Sequence, residues 1–240
     1  MLAGMAANPF DGPYSSGKSE YERYLRVPEL LALQKPPESR THPDELLFQT
    51  VHQVEELWMK VIVHDLGEAV VHLDAGNPGL AQAAIARASL LEDFAERQLH
   101  IFETMLPSSY LVIRAGLGQG SGLDSPGFNR INEVAPRAYD AFARLLEREG
   151  IELLAIYQEP DTRPDLLGVA EAMVSFDAHM RRFKREHIMV VSRIIGIGTA
   201  SLRGNPLEML ERSARMTYFP MLWAVRDRMF IDFKSGPLKY

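Results

Sequence analysis

Two histidines and one arginine stand where their side chains could do chemistry. His187 lies in a row of apolar residues, with Val190, Val191 and Ile194 three, four and seven positions further on. A helix therefore places its imidazole among aliphatic side chains. Burying an imidazole there costs free energy unless both ring nitrogens find partners. One reading is a core histidine bonded to a neighbouring carbonyl or carboxylate. The other is the single axial ligand of a flat apolar cofactor such as heme, which needs one such ligand inside an apolar slot. His52 has Phe48 one turn before it and Glu56 one turn after. It reads either as a helix-surface histidine paired to Glu56 or Glu55, or as a polar group across a pocket that can hydrogen-bond a substrate N–H or O–H. Tyr110 and Arg114 are four residues apart and share a face if that stretch is helical. A guanidinium there could capture a carboxylate with two parallel hydrogen bonds, the alternative being a solvated surface arginine.

Other chemistries are excluded or poorly supported. The chain has no cysteine, so it has no disulfide, thiolate nucleophile, iron–sulfur cluster or thiolate-bound zinc. The glycine-rich run GLGQGSG from Gly116 to Gly122 lacks the preceding strand and the following Lys-Ser/Thr of a phosphate loop. A carboxylate di-metal site would draw on His52-x-x-Glu55 and Glu96-x-x-x-His100, but the repeated Glu-x-x-His of such bundles is missing. A serine hydrolase lacks both the G-x-S-x-G elbow and the strands that carry it.

These residues need helices to position them. Thr41, as N-cap with Asp44 at capping-box spacing, predicts a long helix carrying Leu47, Val51, Val54, Trp58, Ile62, Leu66, Ala69 and Leu73, ended by Gly76. Asn77 and Pro78 open a second helix that stops before Pro107. Five glycines, Pro126 and several serines mark Pro107 to Gly127 as a structured loop. A short helix follows Pro136 over Arg137 to Glu149. A long one runs from about Asp165 to Ile195, and another starts at Asn205–Pro206 toward Tyr218. Strand-type alternation is nowhere sustained, so the expected fold is all-α, a single-domain helical bundle with glycine-rich loops at its ends. Residues 1–19 read as a flexible N-terminal arm and 20–240 as the helical domain.

The 240 residues, 46% hydrophobic and 24% charged, suit a globular protein that needs no metal or disulfide staple. The net charge of −6 gives no general grip on nucleic acid. No apolar run approaches the roughly 18 residues that span a bilayer. Met1 to Ser19 lacks the basic start and apolar stretch of a secretory signal, so a cytoplasmic location is expected.

In order along the chain, several blocks resemble the tryptophan 2,3-dioxygenase family, part of a wider superfamily of histidine-ligated heme oxygenases. YERYLRVPELLALQ, Tyr21 to Gln34, is similar to the family's opening Y-x-x-Y-L…LL-x-x-Q. HPDELLFQTVHQVEELWMK, His42 to Lys60, resembles H-D-E-x-L-F-I-x-x-H-Q-x-x-E-L-W-x-K and is the most specific piece. PSSYLVIRAGLGQGSGLDS, Pro107 to Ser125, resembles P-S-x-Y-x-x-F-R…L-G-x-x-S-G-x-x-S. EHIMVVSRIIG with Gly198–Thr199, and YFPMLWAVR from Tyr218 to Arg226, resemble the C-terminal blocks.

The resemblance implies heme b (iron protoporphyrin IX) as cofactor and O2 as co-substrate. It places His187 on the proximal iron ligand and His52 on the distal histidine that meets the indole N–H. Phe48 falls on an aromatic wall, Arg114 on the carboxylate clamp with Tyr110 beside it, Ser121 on a pocket serine, and Thr199 near the substrate's ammonium and carboxylate. Tyr21 and Tyr24 fall on tyrosines that reach a neighbouring subunit's site, so a homotetramer is implied. The implied activity is dioxygenation of L-tryptophan or a substituted tryptophan. The alternatives are a biosynthetic monooxygenase, forming an oxindole or hydroxylating tyrosine, and a heme-binding sensor. The chain departs from the family at Gly198 to Gly204, where Ala200, Leu202 and Arg203 replace small flexible residues. The span from Ser125 to His187 is also shorter than in typical members.

Overall fold

Apolar residues recurring every three or four positions build helices throughout the part of the chain that the computed structural model describes, residues 15–118, 120–197 and 207–235. Among these residues the fold is all-α, with ten α-helices and no strand. The helices are α1 (Glu20–Leu25), α2 (Val27–Leu30), α3 (Glu45–Asp74), α4 (Pro78–Gln98), α5 (Pro107–Gly116), α6 (Pro126–Glu149), α7 (Leu153–Gln158), α8 (Pro164–Ile195), α9 (Leu207–Arg215) and α10 (Pro220–Ser235). No described helix is long and apolar enough to cross a membrane.

Several boundaries differ from the sequence expectation. The long first helix begins at Glu45 with Asp44 as N-cap, not at Thr41. Thr41 instead gives its backbone N–H and its hydroxyl to the buried Glu45 carboxylate (2.7 and 3.0 Å), which Lys35 also reaches at 2.6 Å. The segment from Pro107 to Gly127 is not all loop. Pro107 sits in the first turn of α5, where its missing N–H costs nothing, and ten residues are helical before the glycines take over. The helix expected over Arg137 to Glu149 starts eleven residues earlier, at Pro126, and carries Pro136 in its interior. Pro136 and Asn132, whose carbonyl loses its partner, are both exposed, so water can satisfy that carbonyl. The small helices α1, α2 and α7 and the C-terminal α10 had no clear periodic signature. Residues 15–19, inside the expected arm, wrap the Glu22 carboxylate: Ser15, Ser16, Gly17 and Ser19 all donate to it, and Ser19 caps α1.

Packing organises the bundle around α4. Helices α3 and α8 each lie along it, and α6 packs against α3. The fully buried Asp65 of α3 accepts two hydrogen bonds from Arg87 of α4. On α8, Asp177 is also fully buried and accepts from the Tyr218 and Phe219 N–H groups and from Trp223 Nε1 (2.7–3.1 Å), which seats the start of α10. Two apolar clusters result. The larger joins Met59, Ile62 and Leu66 to Ile85, Phe142, Phe176 and Phe219. The smaller, nearer the N-terminal end of α3, holds Val51, Leu99, Phe102, Ile113, Phe183 and Val190, with Phe48 and Tyr110 at its edge.

The start of α6 is clamped to α3 by Glu56, which accepts hydrogen bonds from the Ser125 hydroxyl and the Gly127 N–H. A Cβ at Gly127 would lie 2.6 Å from Met59 Cβ and 2.8 Å from its sulfur, so only glycine permits this approach. Gly127→Ala is therefore expected to lower the unfolding free energy by about 1–3 kcal/mol, as overpacking of a tight contact does, read from urea denaturation.

Candidate functional site

The helices that carry the two marked histidines do not pack closely on each other. Both lean on α4, which holds them apart. His52 projects from α3 and His187 from α8, and a charge on His52 would depress the pKa of His187, so the two imidazoles lie within electrostatic reach of one another. Burial lowers the pKa of both, that of His187 to about 4. His52 nevertheless keeps an exposed surface and His187 a partial one. Groups surrounded by protein yet still accessible line a recess.

Both rings are held in defined states. His52 Nδ1 donates to the Phe48 carbonyl at 2.7 Å. That bond assigns the proton to Nδ1 and leaves Nε2 as an acceptor toward the recess. Glu56 does not pair with His52 as the surface reading expects, because its carboxylate is committed to Ser125 and Gly127. His187 has no hydrogen-bond partner on either ring nitrogen among the described residues, so it is not the satisfied core histidine that its surroundings suggested. Phe183, one turn earlier, lies parallel to it, 2° between planes and 6.3 Å between centroids. A neutral imidazole with an uncommitted nitrogen in an apolar wall is chemically suited to ligate a heme iron, and the residues present fit that group.

Aromatic side chains crowd the His52 side. Phe48 lies 4.3 Å from the imidazole, Phe102 5.4 Å, and Tyr110 6.1 Å from Phe48, centroid to centroid. Phe102, which sequence reasoning placed only as one of the apolar residues along its helix, sits on a 3-10 segment, Leu99–Thr104, that continues α4 and turns the chain toward α5. Phe128 and Phe183, 5.1 Å apart, extend the wall on the His187 side. Tyr110 and Arg114 do share one helix, α5, both half-buried, and the Arg114 charge partly offsets the rise that burial gives the Tyr110 pKa. Phe48, His52, Tyr110 and Arg114 are thus gathered near the smaller apolar cluster.

Other expected residues stand differently. Ser121 caps a 3-10 turn, accepting from the Leu123 N–H. Tyr21 and Tyr24 on α1 are 69% and 87% exposed, away from the cluster. Thr199 and the whole divergent loop, Gly198 to Gly204, lie outside the described residues. The di-metal reading is not supported: the one described group able to hold a bare ion is His100, Glu103 and Glu186, at the surface and without His52 or Glu55. Two surface depressions, of about 560 Å³ between α4 and α8 and about 380 Å³ beside Glu186 and Ile197, are lined by neither His52 nor His187.

The site makes opposite demands on two neighbours. His52→Ala is expected to change stability by less than about 0.5 kcal/mol, as for an exposed residue. Phe102→Ala, at 6% exposure, should cost about 3–5 kcal/mol. Thermal unfolding of the two variants checks the contrast.

A family model described as tryptophan 2,3-dioxygenase matches residues 9–135. Tryptophan 2,3-dioxygenase of Arthrobacter sp. (strain FB24) is 26% identical, with 89% of this chain and 93% of that protein covered. The proteins of the same name from Caulobacter vibrioides and Xanthomonas campestris pv. campestris (strain B100) are 28% and 27% identical, covering 87% and 90% of this chain and 98% and 89% of theirs. The Arthrobacter alignment runs over 264 positions, to which 89% of 240 residues, about 214, are contributed by this chain, so about fifty positions have no counterpart here. A matched model covering more than half of the chain, with His52 and the aromatic cluster inside it, means that this protein belongs to the tryptophan 2,3-dioxygenase family.

Proposed function

We propose that this chain is a heme-dependent oxygenase that inserts both atoms of O2 across the C2–C3 bond of the indole ring of L-tryptophan or a substituted tryptophan. The ring opens to an N-formylkynurenine-type product, and no external reductant is consumed. The observation that supports this reading is the neutral imidazole of His187, without a hydrogen-bond partner among the described residues, within electrostatic reach of His52, whose ring packs against Phe48 and Phe102. When bound, the heme supplies an iron that binds and activates O2.

His187 is the protein ligand in this proposal. Its low pKa keeps the nitrogen free of a proton at neutral pH. His52 orients the substrate, with Nε2 accepting the indole N–H because Nδ1 is tied to the Phe48 carbonyl. Phe48, braced by Phe102 and Tyr110, supplies an apolar face for the ring. Arg114 binds the amino-acid carboxylate with Tyr110 alongside, and Ser121 and Thr199 complete the polar end. Such positioning of substrate against O2 is the main demand that the reaction makes on the side chains.

Exposed Tyr21 and Tyr24 support an assembly in which α1 of one copy reaches the site of a neighbour, in a homotetramer.

Purified protein loaded with hemin is expected to show a histidine-ligated Soret band that shifts on adding L-tryptophan, and His187→Ala to lose that band. Arg114→Ala should raise KM for tryptophan about ten- to a hundredfold, from the 1.5–3 kcal/mol of a charge-assisted hydrogen bond. His52→Ala should lower turnover without abolishing it. With isotopic O2, mass spectrometry should find two labelled atoms in the product. One labelled atom would assign the monooxygenase alternative, and no heme binding would end the proposal.

A further inference from the structure

Between the two apolar clusters lies a layer of buried ionisable groups that the site chemistry does not use. Glu55 follows Val51 of the smaller cluster and precedes Met59 of the larger, and Glu92 stands in the same way between Ala95 and Ala88. Glu55 is 8% exposed and Glu92 1%. Among the described residues neither Glu92 carboxyl oxygen has a hydrogen-bond partner, nor does Glu55 Oε1, although the Gln98 amide beside Glu55 tempers the rise of its pKa. Lys184 of α8, itself largely enclosed, completes the layer through its charge interaction with Glu92 and lies with its ammonium over the Tyr218 ring.

Placement gives this layer its meaning. Glu55 lies three residues after His52, and Lys184 three before His187. At 1.5 Å rise per residue, each is about 4.5 Å along its helix from the histidine. Glu92 is on α4, the helix that both α3 and α8 lean on. Leaving such groups buried without partners is expensive.

We propose that Glu92 is a positioning residue, which in its neutral form lets α3 and α8 close on α4 and so sets the separation of His52 from His187. Ionisation of Glu92 beside Glu55 puts two negative charges in the layer against one ammonium, drives the helices apart and loosens the recess. Burial pushes Glu55 up to about 7 and Glu92 up to about 8, the second raised further by Glu55 and Glu96 and opposed by Lys184. The other charged groups facing the layer are Glu56 on α3, whose charge also raises Glu55, and Asp177 on α8, which acts on Lys184; Glu96 reaches Arg182 at 3.5 Å.

The sign follows from linkage. These carboxyls bind protons more tightly folded than unfolded, so their contribution is complete below about 4.5 and is lost as pH rises through about 7 to 8. The two histidines, whose folded pKa values are lowered, act only below about 6.5.

The proposal is tested between pH 6.5 and 8.5 on the full chain. In wild type the urea midpoint should fall across this interval. Glu92→Gln should remove about two-thirds of the fall, and Glu55→Gln with Glu92→Gln nearly all of it. Hemin titrated into the apoprotein should bind several-fold more weakly to wild type at the upper pH than at the lower, and equally at both to Glu92→Gln. Carbon-13 NMR of glutamate-labelled wild type should show two carboxyl resonances titrating above pH 6.5, a readout that does not depend on any variant folding. Carboxyls that all titrate below pH 5.5, or a Glu92→Gln protein with the wild-type pH dependence of hemin affinity, would overturn it. The hemin arm rests on the cofactor reading above: failure of wild type to bind hemin at any pH would count against that reading, while the NMR and urea arms would still decide whether the layer responds to pH.

Discussion

Helix α4 keeps α3 and α8 from closing on each other, and the site depends on that separation. If the two histidine-bearing helices packed directly, His52 and His187 would be buried against side chains. Instead both lean on the same intermediary, and both imidazoles stay at least partly accessible. The bidentate Arg87–Asp65 pair fixes one side of this arrangement, and the Asp177 bonds to the start of α10 fix the middle of α8. Apolar burial supplies most of the driving force for such a bundle. The few buried, fully bonded carboxylates set its geometry, because a buried charge tolerates only the arrangement that satisfies it.

Much of this was legible because the long helices have long periodic stripes. The row from Leu47 to Leu73 and the row from Leu166 to Ile194 each show an unbroken three-four spacing, and both are helices within a few residues of the expected ends. Composition misled where glycine, proline and serine were dense. Pro107 and Pro126 read as loop residues but occupy first turns, where proline is well suited. Pro136 read as the residue before a helix and is an interior residue on an exposed face. Thr41 had the spacing of a cap, yet the buried Glu45 carboxylate outcompeted the helix for its hydroxyl. The residues joined at the site were found by type, while Phe102 as a neighbour of His52 was not. Nothing in one-dimensional spacing says that the end of α4 folds back beside His52.

The imidazole states were beyond reach of the sequence for a related reason. His52 could have paired with Glu56, four residues on, and the local pattern favours that pair. The tertiary structure takes Glu56 for the Ser125 hydroxyl and the Gly127 N–H, and so frees His52 to bond backward to Phe48. One glycine that lets α6 approach α3 thereby bears on the tautomer of a histidine a turn away.

The buried carboxyl layer is the sharpest conflict between local and global demands. Two apolar clusters could have merged into one, and apolar side chains at positions 55 and 92 would add contacts instead of stranding oxygens. A continuous apolar core would also pull α3 and α8 as close to α4 as packing allows, since nothing but volume would resist. A polar layer one turn from both histidines makes that closure conditional instead, because on the proposal above its carboxyls must be neutral for α3 and α8 to seat on α4. The stability given up at Glu55 and Glu92 and the proposed setting of the His52–His187 separation are then two sides of one constraint. That constraint acts through α4, the helix on which both α3 and α8 rest.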